Sequence, residues 1–282
     1  MNEIIAAVDF SESSVNSVEH AITIAEKART GVVMVWVNKH GTSKALISDK
    51  FNEQIIEVES KFLELIDKYR SRLNYGKIEY KIRNGKVYDE IAEEARERKA
   101  MLIIAGTHGS SGFEQFWIGS NANKLVATAP CPVITIREGI NINRNLERII
   151  LPLDHTIETR QKVGIATRMA HYFKATIHIL CIYTTNTKMD HYKVEGYGDM
   201  VEKHFKEYDI KYERETVKSD NPTKTTIDYA KKIDANLLII MTEQVFSTKN
   251  LWLGTYAQQM VNQSIIPVLS VRSQSIYDYQ TK

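Results

Sequence analysis

The chain has few residues of the kinds that mark special protein classes. Its 282 residues include two cysteines, Cys131 and Cys181, and neither belongs to a Cys-x-x-Cys pair, so no zinc site or disulfide framework is expected. The 37 basic and 35 acidic residues leave a net charge of +2, which favours neither a nucleic-acid nor a membrane partner. No apolar run approaches the roughly 18 residues that cross a bilayer. Residues 1–10 lack the features of a secretory signal, so we expect a cytoplasmic protein.

Common catalytic and nucleotide-binding signatures are missing as well. The sequence has no Gly-x4-Gly-Lys-Ser/Thr run and no Gly-x-Gly-x-x-Gly after its first strand. It also has no His-Glu-x-x-His motif and no nucleophile elbow. We therefore predict no catalytic residue set and no metal site built from protein ligands.

The sequence contains an internal repeat of two similar halves. Residues 3–9 (EIIAAVD) correspond to residues 148–154 (RIILPLD), 145 positions later, and both read as a buried strand that ends in aspartate. Residues 131–137 (CPVITIR) correspond in the same way to residues 266–272 (IPVLSVR), 135 positions later. Such a repeat predicts two similar domains in tandem.

Each copy alternates buried strands with amphipathic helices, which predicts a mainly parallel sheet in each of two domains, residues 1–142 and 146–282. The predicted strands are, in chain order, Ile4–Val8, Val32–Val37, Ile78–Ile82, Met101–Ala105, Val133–Arg137, Ile149–Leu153, Ile177–Ile182, Ile210–Val217, Leu237–Ile240 and Val268–Val271. The polar stretch Lys188–Gly198 is predicted to be a surface loop. Ligands bind such sheets beyond the carboxyl ends of the strands.

The fourth strand of the first copy leads into a glycine-rich stretch with the spacing Gly-x2-Gly-x9-Gly-Ser. Glycines let backbone amides approach a polyanion, and the start of a helix adds unpaired N–H groups. The pattern therefore predicts a phosphate site formed by Gly106, Gly109, Gly119 and Ser120. Alternatively, the glycines only shape a turn and Ser120 only caps a helix.

Three further residues flank this stretch. Asp9 ends the first strand, where its carboxylate can accept a hydrogen bond from an adenine amine or a ribose hydroxyl, or approach a metal ion on the phosphates. Val37 ends the second strand and can wall a base pocket. His108 lies inside the loop, where it can touch phosphate, and no second acid or base beside it indicates catalysis. The alternatives are that Asp9 is a turn residue and that Val37 is sheet core.

Together these residues resemble the universal stress protein family. The resemblance rests on residues 4–11 (IIAAVDFS), on residues 83–85 (RNG), on the glycine spacing and on residues 131–136 (CPVITI). It implies that each half is a Rossmann-like domain of the adenine nucleotide alpha hydrolase type, with a five-stranded parallel sheet of order 3-2-1-4-5. It also implies dimerisation through the last strand. One branch of the family binds ATP or AMP with this glycine spacing.

The resemblance assigns ligand-binding residues in the first domain, and the expected ligand is ATP, or else AMP or ADP. Asp9 and Val37 would meet the adenine and the ribose. The backbone around Ala7, Val8 and Ala105 would line the base and the ribose. The phosphates would be held by Gly106, Gly109, Ser110, Gly119, Ser120 and Asn121. The sequence leaves open whether Mg²⁺ accompanies the phosphates.

The second copy departs from this pattern. Met241 and Gln244 stand where the first copy has Gly106 and Gly109, although the strand-end aspartate and a Gly-Thr pair are retained. Unless Gln244 swings aside, these side chains fill the space that phosphate would need, so we expect poor ATP binding or none. We also expect the two copies to form a pseudo-dimer through their last strands. Two chains can associate further into a homodimer.

The expected function is that of a cytoplasmic stress-response regulator whose state depends on a bound adenine nucleotide, not that of an efficient enzyme. Two alternatives stay open. One is a slow ATPase or an enzyme that transfers adenylate or phosphoryl groups. The other is an interaction module without a ligand, in which the first-domain loop is purely structural.

Overall fold

The computed structural model describes most of the chain, namely residues 3–38, 49–107, 120–137, 145–184, 187–242, 244–247 and 250–273. The chain divides into two compact units, Met1–Asn143 and Arg144–Lys282. None of the helices in the described ranges is long and apolar enough to cross a membrane.

The first unit alternates strands with helices. Its strands are β1 Ile4–Ala7, β2 Val32–Asn38, β3 Ile78–Asn84, β4 Leu102–Gly106 and β5 Val133–Ile136. Its helices are α1 Glu12–Ala28, α2 Asp49–Tyr69, α3 Val87–Glu97 and α4 Ser120–Thr128. The strands pair in parallel in the order β3-β2-β1-β4-β5, which confirms the predicted sheet. Nearly every residue of β1, β4 and β5 is buried, as expected for strands that are covered on both faces.

The start of α1 is fixed by a cap that lies close to the end of β1. The backbone N–H of Ser14 donates a hydrogen bond of 3.3 Å to Oγ of Ser11, which is the N-cap residue. The helix ends at Ala28 because Arg29 adopts a left-handed conformation, with φ of 54°. The polar turn after β1 and the first turn of α1 are therefore one hydrogen-bonded unit.

An ion-pair network attaches α3 to the edge of the sheet. Glu94 is only 2% exposed and accepts hydrogen bonds from Nε of Arg83 and Nε of Arg98, both of 2.6 Å. Arg98 also donates to Glu3 and Glu79, each at 3.0 Å. Burial raises the pKa of Glu94, but the hydrogen bonds from Arg98 and Arg83 outweigh it, and the pKa lies below its usual value. Arg83, part of the RNG motif, thus has a structural role.

The second unit repeats the architecture of the first. The strands of its sheet are β6 Arg148–Leu153, β7 Thr176–Tyr183, β8 Tyr212–Lys218, β9 Leu237–Thr242 and β12 Val268–Arg272. Its helices are α5 Val163–Phe173, α6 Lys188–Glu207, α7 Pro222–Lys232 and α8 Thr255–Gln263. These strands are also parallel, in the order β8-β7-β6-β9-β12, so the prediction of two similar sheets is confirmed.

The prediction of a surface loop at Lys188–Gly198 was wrong, because this stretch is the first half of α6. Thr187 caps the helix by accepting a hydrogen bond from the backbone N–H of Asp190. Apolar residues at helical spacing hold its inner face against the sheet, and these buried residues are Val194, Val201 and Phe205. Gly198 is tolerated here because the guanidinium of Arg214 fills the space that its Cβ would occupy.

A second departure from the predicted pattern lies between β9 and α8. Strands β10 Gln244–Ser247 and β11 Asn250–Leu253 form an antiparallel hairpin, with Gln244 paired to Leu253. This hairpin stands in the chain where the first copy has its glycine-rich stretch. The backbone amides of the hairpin pair across its two strands. The sequence alignment of the two copies, which compared Met241 and Gln244 with two glycines, did not predict this pairing.

Candidate functional site at the end of the first strand

Asp9 follows β1 directly and organises the turn that leads to α1. Its Oδ1 accepts one hydrogen bond of 3.1 Å from the backbone N–H of Ser11 and another of 2.6 Å from the hydroxyl of Ser11. Its own backbone N–H donates to Oγ of Ser14 at 3.2 Å. The alternative that Asp9 is a turn residue is therefore confirmed as far as these hydrogen bonds go, and its contact with a nucleotide stays a prediction. These bonds also hold the carboxylate in a fixed place at the carboxyl edge of the sheet.

The parallel register brings Asp9 level with Val37. Ala7 pairs with Val35, so two residues further along, Asp9 and Val37 lie at the same height on neighbouring strands. Val37 is 7% exposed and Val8 is 5% exposed, so both pack in the sheet core while their backbones reach the edge. Ala7 itself is half-buried.

On the other side of β1 lies β4, which carries two more of the predicted residues. Ala6 pairs with Ile104, which places Ala105 and Gly106 beside the end of β1. Ala105 is 4% exposed, and Gly106 is the last residue of β4. The structure thus brings the strand-end residues of β1, β2 and β4 together at one edge.

Packing against Ser13 is one reason why a glycine stands at position 106. A Cβ at this position would overlap with Oγ of Ser13 and would lie 3.2 Å from the Cβ of Ser13. The first turn of α1 can approach β4 only because Gly106 has no side chain. Ser13 is 3% exposed, and its hydroxyl has no hydrogen-bond partner in the part of the chain that the structure describes. Sequence reasoning missed Ser13, because nothing in its spacing marks it.

The remaining predicted residues belong to the loop and to the helix that follows it. Ser120 begins α4, and Asn121 is half-buried in the first turn of that helix. Four of the predicted phosphate-binding residues lie outside the described residues, namely His108, Gly109, Ser110 and Gly119.

Phe10, which sequence reasoning did not single out, connects the Asp9 turn to α2. Its φ is 64°, a left-handed conformation that is rare for a non-glycine residue. Its ring packs edge-on against Phe62 of α2 with 5.0 Å between ring centroids, and the Phe62 ring stacks on Tyr80 at 4.9 Å. Nζ of Lys61 lies 5.5 Å from the centre of the Phe10 ring. Backbone strain of this kind collects at ligand sites and switches, where the surroundings hold it in place.

The second unit keeps the aspartate turn. Oδ1 of Asp154 accepts a hydrogen bond of 2.8 Å from the backbone N–H of Thr156 and a further one from the Thr156 hydroxyl. The backbone N–H of Asp154 donates to Oγ1 of Thr159 at 3.3 Å. The same arrangement therefore forms with threonine in place of serine.

The second unit does not keep the glycine edge. Met241 lies within β9 where the first unit has Gly106, and the strand continues to Thr242. Beneath this edge Lys162 is 4% exposed, and its Nζ donates to Oγ1 of Thr159 at 3.1 Å. Ser17 stands at the corresponding position of the first unit and donates to the Ser13 carbonyl at 3.0 Å. The two edges therefore differ in side-chain volume and in charge.

Among the described residues, no group of three or more His, Cys, Asp or Glu side chains is arranged to hold a metal ion. A protein cage for a divalent cation is therefore not a feature of either described edge.

Comparison with known proteins identifies the chain's relatives. The family model described as the universal stress protein family matches residues 1–137 and again residues 145–272. The chain is 28% identical over 144 residues to universal stress protein MJ0531 of Methanocaldococcus jannaschii, a match that covers 48% of this chain and 82% of the relative. It is 23% identical over 146 residues to universal stress protein YxiE of Bacillus subtilis, which covers 48% of this chain and 99% of the relative.

Two solved structures resemble the chain over nearly its full length. One is a universal stress protein from Archaeoglobus fulgidus, with a TM-score of 0.78, 16% identity, and coverage of 96% of this chain and 98% of that one. The other is a putative universal stress protein from Pseudomonas aeruginosa, with a TM-score of 0.65, 16% identity, and coverage of 99% and 96%. At these identities the likeness concerns the fold.

Proposed function

Because the chain belongs to the universal stress protein family, we propose that its first unit binds an adenine nucleotide, ATP or else AMP or ADP, at the edge formed by β1 and β4. The observation that carries the proposal is that the Asp9 carboxylate is held in place by hydrogen bonds, next to a strand whose last residue is a glycine. Asp9 is held by the 2.6 Å hydrogen bond from Ser11, and Gly106 ends the neighbouring strand. In open parallel sheets, ligands bind at the carboxyl ends of the strands, where the strand order reverses.

The chemistry of this edge fits such a ligand. The Asp9 carboxylate can accept a hydrogen bond from an adenine amine or a ribose hydroxyl, and the backbones of Val8 and Val37 reach this edge, where they would line the base. At Gly106 the strand ends without a side chain, and the space that a Cβ would take is occupied by Oγ of Ser13, so the first turn of α1 closely approaches this strand end. The N-terminus of α4, which begins at Ser120, adds unpaired N–H groups and the positive end of a helix dipole.

A metal ion would accompany the phosphates in this arrangement and would not sit in a cage of protein ligands. Mg²⁺ typically keeps several waters and is held by one or two carboxylates together with phosphate oxygens. Asp9 would supply such a carboxylate only in place of its hydrogen bond to the adenine or the ribose.

We assign to the nucleotide the role of a regulatory ligand. A ligand shifts a conformational equilibrium only when it interacts differently with the two states. The contact between Phe10 and Phe62, 5.0 Å between ring centroids, gives the Asp9 turn a direct connection to α2. A nucleotide that hydrogen-bonds to Asp9 would shift the turn that contains Phe10, and this would change the packing of Phe10 against Phe62 of α2. This is the basis for a role in the stress response as a nucleotide-dependent regulator or interaction protein.

The test uses a matched pair of substitutions in the full chain, Asp9→Asn and Asp154→Asn. Asparagine keeps the Oδ1 acceptor on which each turn depends, removes the charge and replaces the second carboxylate oxygen with an NH2 donor. Thermal unfolding is followed with and without millimolar ATP. At about 100 times its dissociation constant, a ligand adds about 2.7 kcal/mol of stability. We expect this stabilisation in the wild-type chain and in D154N, and its loss in D9N.

Two results would contradict the proposal. One is an ATP-dependent stabilisation that D154N removes and D9N retains. The other is no stabilisation of the wild-type chain, which would favour an interaction module without a ligand. Steady phosphate release that D9N abolishes would instead make the protein an ATPase.

A further inference from the structure

Helix α2 presents an acidic and apolar face to solvent. Ile56 is 65% exposed and Leu63 is 58% exposed, although both are large apolar residues. Glu53, Glu57 and Glu64 are exposed beside them. At 3.6 residues per turn, these five residues fall within an arc of about 120° on the helix surface. We call this set the acidic face.

Glu53 and Glu64 are the two carboxylates of the acidic face that form no ion pair within the described part of the chain. Glu57 is paired with Lys61 of the same helix, whereas neither Glu53 nor Glu64 has an ion-pair partner among the described residues. The two carboxylates are separated by eleven positions, which is about 16 Å along a helix.

Helix α6 holds the corresponding place in the second unit and presents the opposite combination. Met189 is 65% exposed, Tyr192 is 70% exposed and Met200 is 52% exposed. Lys193 and Lys203 are exposed on the same arc of about 120°. We call this set the basic face.

The basic face has two cations without an ion pair in the described ranges, and a glycine between two exposed apolar side chains. Neither Lys193 nor Lys203 has an ion-pair partner among the described residues, and their separation of ten positions corresponds to about 15 Å. Between Tyr192 and Met200 lies Gly196, where an added Cβ would meet nothing within 4 Å. The glycine therefore leaves a notch between two exposed apolar side chains.

We propose that the acidic face of one chain docks against the basic face of a second copy of the same chain. The spacing of the unpaired carboxylates on α2 matches the spacing of the unpaired ammonium groups on α6 to within about 2 Å at 1.5 Å per residue. Leu63 of one copy would enter the notch at Gly196 of the other, between Tyr192 and Met200. Each copy carries one face of each kind, so every copy offers a surface for another copy's α2 and another for its α6.

Charge complementarity is what selects this occupant. Exposed apolar residues that occur singly need no explanation, but two or three on one helix face, bordered by charges of one sign, mark an interaction surface. A partner for the acidic face needs apolar side chains flanked by cations about 15 Å apart. Helix α6 offers Lys193 and Lys203 beside exposed apolar side chains, with the exposed carboxylate of Glu207 at its C-terminal end, and it is present at the same concentration as α2 in every solution of the protein.

Charge reversal on the full chain tests the proposal. Sedimentation equilibrium measures self-association of the wild-type chain and of two variants, E53K/E64K and K193E/K203E. We expect each variant to raise the dissociation constant of the assembly roughly tenfold or more, because like charges then oppose each other. An equimolar mixture of the two variants should associate as the wild type does, since each reversed face then meets a reversed partner.

A matched control separates this effect from a general effect of charge. The variant D89K/D220K reverses two exposed carboxylates outside the two faces and changes the net charge as E53K/E64K does. It should associate like the wild type. The proposal is overturned if the wild-type chain stays monomeric, if the two face variants associate as the wild type does, or if their mixture associates no better than either alone.

Discussion

The hydroxyl of Ser11 donates a hydrogen bond of 2.6 Å to Oδ1 of Asp9, and Thr156 makes the same contact with Asp154 in the second unit. Both aspartates thus shape the turn between a first strand and the helix that follows. The aspartate of the second unit therefore has a structural reason to be there without any ligand. What distinguishes the two edges is the neighbouring strand end, which is Gly106 in one unit and Met241 in the other.

The turn-forming role of Asp9 predicts different effects for two substitutions. Asp9→Ala removes the acceptor of two hydrogen bonds from Ser11 and should cost about 1–2 kcal/mol of unfolding free energy. Asp9→Asn keeps an acceptor in the same place and should stay within about 0.5 kcal/mol of the wild type. Urea unfolding followed by circular dichroism measures both. Equal stability of D9A and the wild type would remove the turn-forming role.

The close approach of Ser13 to Gly106 predicts a compensating pair. Gly106→Ala places a Cβ against Oγ of Ser13 and should cost roughly 1–3 kcal/mol by overpacking. Ser13→Ala removes that oxygen, which has no hydrogen-bond partner among the described residues, and should itself cost little. The double variant should recover most of the loss. Additive losses in a double-mutant cycle would mean that the two residues are not coupled.

The buried carboxylate of Glu94 predicts a contrast with an exposed neighbour. Glu94→Gln removes the negative charge that Arg83 and Arg98 share, while each arginine keeps other carboxylate partners, and should lower the unfolding free energy by roughly 2 kcal/mol. Glu97→Gln, at a side chain that is 53% exposed, should cost less than about 1 kcal/mol. Urea unfolding at neutral pH compares the two variants, and equal losses would contradict the structural role of Glu94.

The same residue sets a pH dependence. Because the pKa of Glu94 is lowered in the folded chain, its stabilising contribution is present above the unfolded value, about 4.3, and is lost as the pH falls further. The wild-type chain should therefore lose more unfolding free energy than E94Q as the pH falls from about 5 into the acid transition. Parallel losses in the two proteins would refute this.

His178 on β7 predicts a second pH effect at higher pH. Burial lowers the pKa of His178 despite the nearby carboxylate of Glu213, which lies 3.4 Å from Nδ1. The unfolded chain then binds a proton more readily, so stability is full above about pH 6.5 and declines as the pH falls below it. The variant H178Q should show a smaller decline than the wild type. His171→Gln, which removes a histidine at an exposed position, is the control for the substitution itself.

Most of the fold could be predicted because its signals are local. Buried strands such as β1 and β4 are continuous apolar runs, and the repeated strand-end aspartates identified the two copies. Helix α6 was missed because Gly196, Gly198 and many polar residues suggested a loop. Its signals were present in the cap at Thr187 and in the helical spacing of its buried residues, and packing of Arg214 against Gly198 decided the outcome.

The site was predicted only in part for a physical reason. The sequence indicated that Asp9, Val37 and Gly106 would share one edge, because parallel strands end together. It did not indicate Ser13 or the strained Phe10, since both matter through contacts with residues far along the chain. The hairpin of β10 and β11 was also missed, because replacement of a glycine loop by paired strands depends on pairing and not on single residues.

The most direct test of the account is the stoichiometry of ATP binding to the full chain, measured by isothermal titration calorimetry in the presence of Mg²⁺. The account predicts one site in each chain, present in D154N and lost in D9N. Binding at two equivalent sites, or one site that D154N removes and D9N leaves intact, would contradict the claim that the nucleotide site belongs to the first unit.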